Sequence, residues 1–264
     1  MTSLEQLLEA LADLDRTREA MTAGGWQAQA TSLIRKLDPH YGDATIYFCD
    51  MRAVGLSTDR VQGATSPILD LRLRDHLKRD GLWRGRGFCA VIAASEILDS
   101  YHRLLTDWHA VRRIIGVALH EFCHYSECPP LSSESQAETL LAACPPLAEC
   151  ISSAAEPGID RVTGQAHPAW HQHDFRFARA AIHVTHRATV LAPEWKLAID
   201  DVWRNRFGLS SQAAYVEALG DEPEQRSGES LAAVMQSPMP PIFGFFGLWD
   251  INRAQRASVT GSTE

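Results

Sequence analysis

Two histidines and a glutamate within five residues are the part of this chain best suited to chemistry. His120, Glu121 and His124 form the pattern His-Glu-x-x-His. On an α-helix, residues four positions apart lie one above the other on the same face, so both imidazoles can reach one metal ion. Glu121 borders that face, where its carboxylate can take a proton from a water molecule. The pattern therefore predicts two zinc ligands and a general base.

The residues around this pattern predict the helix that the two ligands need. Apolar side chains recur at three- and four-residue steps through the segment 108–125, which is typical of a helix with a buried face. These side chains are Val111, Ile114, Ile115, Ala118, Leu119 and Phe122. Histidine and glutamate in such an apolar helix would be costly to bury without a partner, and a metal ion supplies one.

A second group of histidines, further along the chain, offers a third ligand. Five of the eleven histidines lie between residues 167 and 186, where we expect a loop to end and a helix to begin. A catalytic zinc ion generally takes three protein ligands and leaves its fourth position to water. His173, at the expected start of the helix, and His171, on the loop before it, are the two candidates from this group.

A glutamate is the alternative third ligand. A helix predicted over residues 132–143 carries Glu134 and Glu138, and the segment 134–138 resembles the glutamate helix of ImmA-like and ArdC-like metallopeptidases. That resemblance implies a gluzincin site, in which a glutamate joins the two motif histidines. A third ligand six residues after the second motif histidine, as in metzincins, is excluded because that position is Pro130.

The two histidine motifs together resemble those of the SprT-like zinc peptidases. Their pattern is His-Glu-x-x-His, followed downstream by His-Gly-x-x-Phe at the start of a helix. Residues 120–124 match the first part, and residues 173–177 match the second, with Asp174 in place of glycine. The resemblance covers about residues 85–190 and implies a zincin-type core, His173 as the third zinc ligand and Phe177 as a packing anchor. The gap between the motifs is longer than is typical of that family. The resemblance therefore implies the metal site more strongly than it implies a particular substrate.

The resemblance to zincin-type peptidases also implies where a substrate would lie. Residues 87–94 are apolar and predict a buried strand shortly before the motif helix. In zincins, a strand beside this helix offers a backbone edge on which an extended peptide can pair. We therefore expect residues 87–94 to form that edge.

Composition and charge favour a globular enzyme over several other classes. The chain of 264 residues is 45% hydrophobic, its net charge is −8, and its longest apolar run is too short to span a bilayer. An acidic chain has no general affinity for nucleic acid or anionic membranes, although the basic segment 72–86 leaves nucleic-acid binding open. Without a recognisable export signal, and with six cysteines but no Cys-x-x-Cys pair, we expect a cytoplasmic protein with reduced thiols.

These patterns predict an α+β fold, with a predominantly helical, zincin-like core and a small β-sheet beside the motif helix. Residues 1–40 are expected to form an N-terminal helical segment packed on the core, and residues 41–220 the metallopeptidase domain. Residues 221–264 are expected to be a linker, an aromatic docking segment at 242–251 and a disordered tail.

The expected function is that of a zinc-dependent metallopeptidase with a protein or peptide substrate. His120, His124 and His173 would hold Zn²⁺, and Glu121 would act as general base. A non-catalytic zinc-binding interaction module is the alternative from another class. In such a module the protein would supply all four zinc ligands and close the site.

Overall fold

A computed structural model describes most of the chain and confirms the α+β fold class. It is mostly helical, with a small three-stranded sheet beside the helix that carries the His-Glu-x-x-His motif. The described residues are 25–56, 61–101, 107–127, 133–154, 158–159, 166–167, 173, 175–203 and 212–243. Residues 1–24 of the predicted N-terminal helical segment and the predicted C-terminal tail lie outside these ranges.

The sheet consists of β1 (Ile46–Asp50), β2 (Gly63–Thr65) and β3 (Phe88–Ile92), in the order β1-β3-β2. β1 runs parallel to β3, whereas β2 runs antiparallel to it. Every residue of β3 is buried, as expected for a central strand with apolar residues on both faces. The expectation that residues 87–94 form the substrate edge is therefore wrong, because β3 is hydrogen-bonded on both sides. The edge strand beside the motif helix is β2.

Helices surround the sheet. The three long ones are α1, which covers residues 25–37, α5 (Asp107–Glu127) and α8 (Phe175–Leu191). The shorter ones are α2 (Leu69–Arg72), α3 (Arg74–Arg79), α4 (Ala94–Tyr101), α6 (Glu134–Ala143), α7 (Leu147–Ala154), α9 (Ile199–Val202), α10 (Gln212–Leu219), α11 (Glu222–Gln225) and α12 (Leu231–Gln236). A two-stranded ladder joins β4 (Gly158–Ile159) to β5 (Ala166–His167). Among the helices described here, none has the length and apolar character needed to cross a membrane.

The two faces of the sheet pack against different layers, as the alternation of side chains along a strand requires. One face carries Phe48 and Phe88 into the main core, where they meet α1, α5 and α8. The opposite face carries Tyr47, Cys49 and Val91 into a second cluster with α2, α3 and α7. Helix α5 lies in the middle of the main core and contacts the sheet, α4, α8, α9 and α12. Its position is therefore fixed from several sides.

Residues 221–241 differ from the linker that their polar composition predicts. They contain α11 and α12, and α12 packs on both α5 and α8. Leu231 and Val234 are fully buried, and the Ser230 hydroxyl caps α12 by accepting a hydrogen bond from the Ala233 amide. Phe243 is also fully buried, and residues 244–251 of the aromatic segment lie outside the described residues.

An ionic network attaches this C-terminal part to α8. Arg179 is 1% exposed, and its guanidinium donates to the Glu222 carboxylate and to the Ser237 carbonyl and hydroxyl oxygens. Arg226 lies 3.4 Å from the same carboxylate. His183 is fully buried, with its Nε2 atom also 3.4 Å from Glu222, although neither of its ring nitrogens has a hydrogen-bond partner within the described structure. The Glu222 carboxylate therefore lies among three basic side chains, those of Arg179, His183 and Arg226.

We predict that Glu222→Gln destabilises the fold by about 3 kcal/mol, because it leaves the buried Arg179 charge without its counter-ion. Urea unfolding followed by circular dichroism measures the change in the free energy of unfolding. Glu224→Gln, on the same short helix but with an exposed side chain, is the matched control and should change stability little. Equal stability of the two variants would contradict the role given to Glu222.

Candidate metal centre

Helix α5 holds the two motif histidines side by side. The ring centroids of His120 and His124 lie 4.9 Å apart, and both side chains are partly buried. Glu121, between them in sequence, is 4% exposed. Because the helix is packed by apolar residues along its length, these three side chains have little freedom to move away from one another.

His173, immediately before α8, completes a group of three. Its Nε2 atom lies 2.9 Å from that of His120, and its ring centroid lies 5.1 Å from that of His124. One nitrogen from each histidine falls within 4.8 Å of the other two. Nitrogen ligands at the usual zinc distance of about 2.0–2.1 Å lie about 3.4 Å apart in a tetrahedron. This separation falls between the 2.9 Å contact and the 4.8 Å limit, so small shifts of the three rings would fit them around one ion. The structure thus brings together the three histidines that the sequence predicts as ligands, and this group could hold a metal ion.

A single aromatic side chain supports all three imidazoles. The Phe177 ring, in the first turn of α8, has its centroid 4.8, 4.5 and 4.7 Å from those of His120, His124 and His173. Phe177 itself is fully buried. It packs as the anchor that the motif resemblance implies, and it restricts the orientation of each ring.

The surroundings of the site keep the imidazoles in their neutral, metal-binding form. Burial lowers the pKa of His120 to about 3 and that of His173 to about 4. Burial, together with the two neighbouring histidines, lowers the pKa of His124 well below its usual value. Neutral imidazole is the form that binds a metal. Burial also raises the pKa of Glu121 to about 8, an effect that a nearby cation would oppose.

A backbone carbonyl orients the first ligand. The Nδ1 atom of His120 lies 2.7 Å from the carbonyl oxygen of Val202, at the end of α9. A carbonyl oxygen only accepts hydrogen bonds, so Nδ1 carries the proton and Nε2 presents a lone pair. Metal-binding histidines usually have such a partner on the other ring nitrogen. Val202 has no signature in the sequence because its main chain, not its side chain, makes the contact.

The edge strand β2 passes directly over Glu121. A Cβ atom built on Gly63 would lie 2.6 Å from the Glu121 Oε1 atom and 2.6 Å from the Val117 Cγ1 atom. A side chain at this position would therefore displace the Glu121 or Val117 side chain, which glycine leaves in place. Neither β2 nor Gly63 is predicted from the sequence, since a strand of three residues has no measurable periodicity.

The remaining candidate ligands lie elsewhere or outside the described residues. Glu134 and Glu138 are exposed on α6, and within the described ranges only the three histidines form a group able to hold a metal. His171 lies outside those ranges. His183 packs against Glu222, and His186 lines a separate surface cavity of about 370 Å³.

Several basic side chains of the segment 72–86 have partners inside the chain. Arg86 forms an ion pair of 2.6 Å with the buried Asp70, and Arg72 donates a hydrogen bond to the Pro145 carbonyl oxygen. These arginines connect α2 to the residues just before β3 and just before α7. Nucleic-acid binding by this segment stays an untested prediction.

No protein-family model matches this chain, and no curated protein or solved structure matches it. The resemblance to SprT-like peptidases therefore rests on the two histidine motifs. The proximity of His173 to His120 and His124 is independent of that resemblance, because it comes from the packing of α8 on α5.

We predict that the protein binds one zinc ion per chain. His173→Ala should weaken zinc binding by more than roughly 100-fold, because losing a ligand costs more than losing a residue that only hydrogen-bonds to a ligand. Competition with a chromophoric chelator measures the affinity. His186→Ala, on α8 but away from the site, is the matched control and should bind zinc normally. Glu138→Ala tests the glutamate alternative, and a loss of zinc in that variant rather than in His173→Ala would contradict the three-histidine site.

Proposed function

We propose that this protein is a zinc-dependent metallopeptidase that hydrolyses peptide bonds in a protein or peptide substrate. The observation that carries the proposal is the meeting of His120, His124 and His173 beside the buried Glu121. Three neutral histidines are a donor set found in catalytic zinc sites, where the fourth position is left to water. They fit the zinc ion that the sequence motif implies.

In this proposal, zinc supplies the Lewis acid that polarises the scissile carbonyl group and lowers the pKa of a water molecule. Glu121 takes a proton from the water molecule as the water oxygen attacks the carbonyl carbon. The same carboxyl group then gives that proton to the departing amine as the carbon–nitrogen bond breaks. The low exposure of Glu121 limits exchange of this proton with bulk water.

The substrate would bind in an extended conformation along β2. Within the described structure, β2 pairs with β3 on one side only, and in this proposal its other edge would form main-chain hydrogen bonds with the substrate. Its first residue, Gly63, contacts Glu121, which would bring a peptide paired on β2 close to the general base. This geometry supports a polypeptide substrate over a small compact molecule.

The rival assignments have less support. A gluzincin site would require Glu134 or Glu138 to reach the motif histidines, and both side chains are exposed on α6. A closed structural site would require a fourth protein ligand, whereas the metal-binding group within the described residues has three members. An edge strand beside Glu121 is also a feature that a purely structural zinc site has no need for.

We predict that Glu121→Gln retains zinc and loses hydrolysis by roughly 10²–10⁴-fold, the usual contribution of a general base. Cleavage of unfolded casein and of a mixed peptide library, followed by mass spectrometry, measures the activity. Zinc content measured on the same samples separates lost chemistry from lost metal. Equal cleavage by Glu121→Gln and wild type, or no cleavage by zinc-loaded wild type, would contradict the proposal.

We predict that Gly63→Ala lowers kcat by roughly 100-fold while zinc affinity stays unchanged, because the added methyl group displaces the Glu121 carboxylate but touches no zinc ligand. Steady-state kinetics on a peptide found in the casein experiment provides kcat and KM. Gly228→Ala is the matched control, since a Cβ atom at that position meets nothing within 4 Å. Wild-type kcat in Gly63→Ala would show that β2 does not set the position of Glu121.

A further inference from the structure

Helix α9 is too short to hold its own position. It has four residues, fewer than an isolated helix needs to be stable in water. Its last residue, Val202, nevertheless supplies the carbonyl oxygen that contacts His120 Nδ1. Other contacts must therefore fix α9 on the motif helix.

Asp201 makes several polar contacts of this kind. Its Oδ2 atom accepts hydrogen bonds from the Arg112 Nε and Nη2 atoms, at 3.1 and 2.5 Å, and from the Ala198 amide at 2.8 Å. Its main-chain carbonyl oxygen accepts a hydrogen bond of 3.1 Å from Arg113. One residue thus caps the start of α9 and attaches the helix to two consecutive arginines of α5.

Gly116 allows the two helices to touch at this point. A Cβ atom built on Gly116 would lie 2.5 Å from the Asp201 carbonyl oxygen and 3.1 Å from the Asp201 Cβ atom. The nearest of these atoms belongs to the backbone, so an added methyl group could be accommodated only by moving α9. Arg112, Gly116 and His120 are spaced four residues apart and therefore follow one face of α5.

We infer that Gly116 and Asp201 are positioning residues that set the tautomer and orientation of His120 through the Val202 carbonyl group. Gly116 permits the close approach of α9, and Asp201 holds it there. With Nδ1–H donating to Val202, the Nε2 lone pair points to the site formed with His124 and His173. The inference rests on the metal site of the proposed function, but the tautomer can be measured without metal.

Arg113 connects α9 to the residue that precedes the edge strand β2. Arg113, which donates to the Asp201 carbonyl oxygen, also donates to the Gln62 side chain at 2.9 Å. Gln62 immediately precedes β2, and its carbonyl oxygen accepts a hydrogen bond from the Ala93 amide. A displacement of α9 is therefore expected to disturb His120 first and the edge strand second.

Nitrogen-15 NMR of the metal-free protein tests the inference directly. Long-range ¹H–¹⁵N correlation distinguishes the Nδ1–H from the Nε2–H tautomer, and loss of one signal set in His120→Ala identifies the residue. We expect wild-type His120 to be the Nδ1–H tautomer. In Gly116→Ala we expect a mixture of tautomers and a 10- to 100-fold loss of zinc affinity, the usual effect of removing an outer-shell partner.

The choice of variants separates positioning from a loss of stability. Alanine is a better helix former than glycine, so a purely local effect of Gly116→Ala would stabilise α5. Asp201→Ala removes the anchor without adding atoms and decides the result if Gly116→Ala does not fold. Gly228→Ala is the control for a glycine substitution in open space.

A folded Gly116→Ala or Asp201→Ala that keeps the wild-type tautomer and zinc affinity would overturn the inference. A wild-type protein that binds no zinc, but whose His120 tautomer shifts in both variants, would instead contradict the proposed function and retain the positioning role. Recovery of zinc affinity in Asp201→Glu, relative to Asp201→Ala, would support an anchoring carboxylate.

Discussion

The structure depends on one constraint: three imidazoles and a carboxylate must stay together next to an apolar core. Burial disfavours a charge on any of them, as the lowered histidine pKa values and the raised Glu121 pKa show. Such a group is tolerated when each side chain has a fixed neighbour, and a bound cation would favour the ionised form of Glu121. The elements around the site can be understood as the supports that this arrangement requires.

Each support comes from a different part of the chain. Helix α5 carries two histidines and the glutamate, and the start of α8 brings His173 and Phe177. The end of α9 supplies a carbonyl oxygen to His120, while β2 approaches Glu121 through a glycine. The first half of α8 is fixed by the Glu222 network through Arg179 and His183. Residues with the composition of a linker therefore help to hold the helix that follows His173.

Parts of this arrangement are predictable from the sequence because they repeat or use distinctive side chains. The apolar steps along α5 and the two histidine motifs identified the helix and the three residues that the structure groups together. Strand β2 and the contacts that α9 makes through Asp201 and Val202 could not be found in this way. A three-residue strand and a four-residue helix have no useful periodicity, and the contact to His120 comes from a main-chain atom. The polar composition of residues 221–241 also obscured two short helices that pack on the core.

X-ray absorption at the zinc edge of the zinc-loaded protein tests the central claim most directly. An open three-histidine site predicts three imidazole nitrogen ligands at about 2.0–2.1 Å, with one further light-atom ligand that exogenous anions can replace. Multiple scattering from three imidazole rings would identify the histidines. A site with sulfur ligands, or a fourth ligand that anions never displace, would contradict an open catalytic centre at His120, His124 and His173.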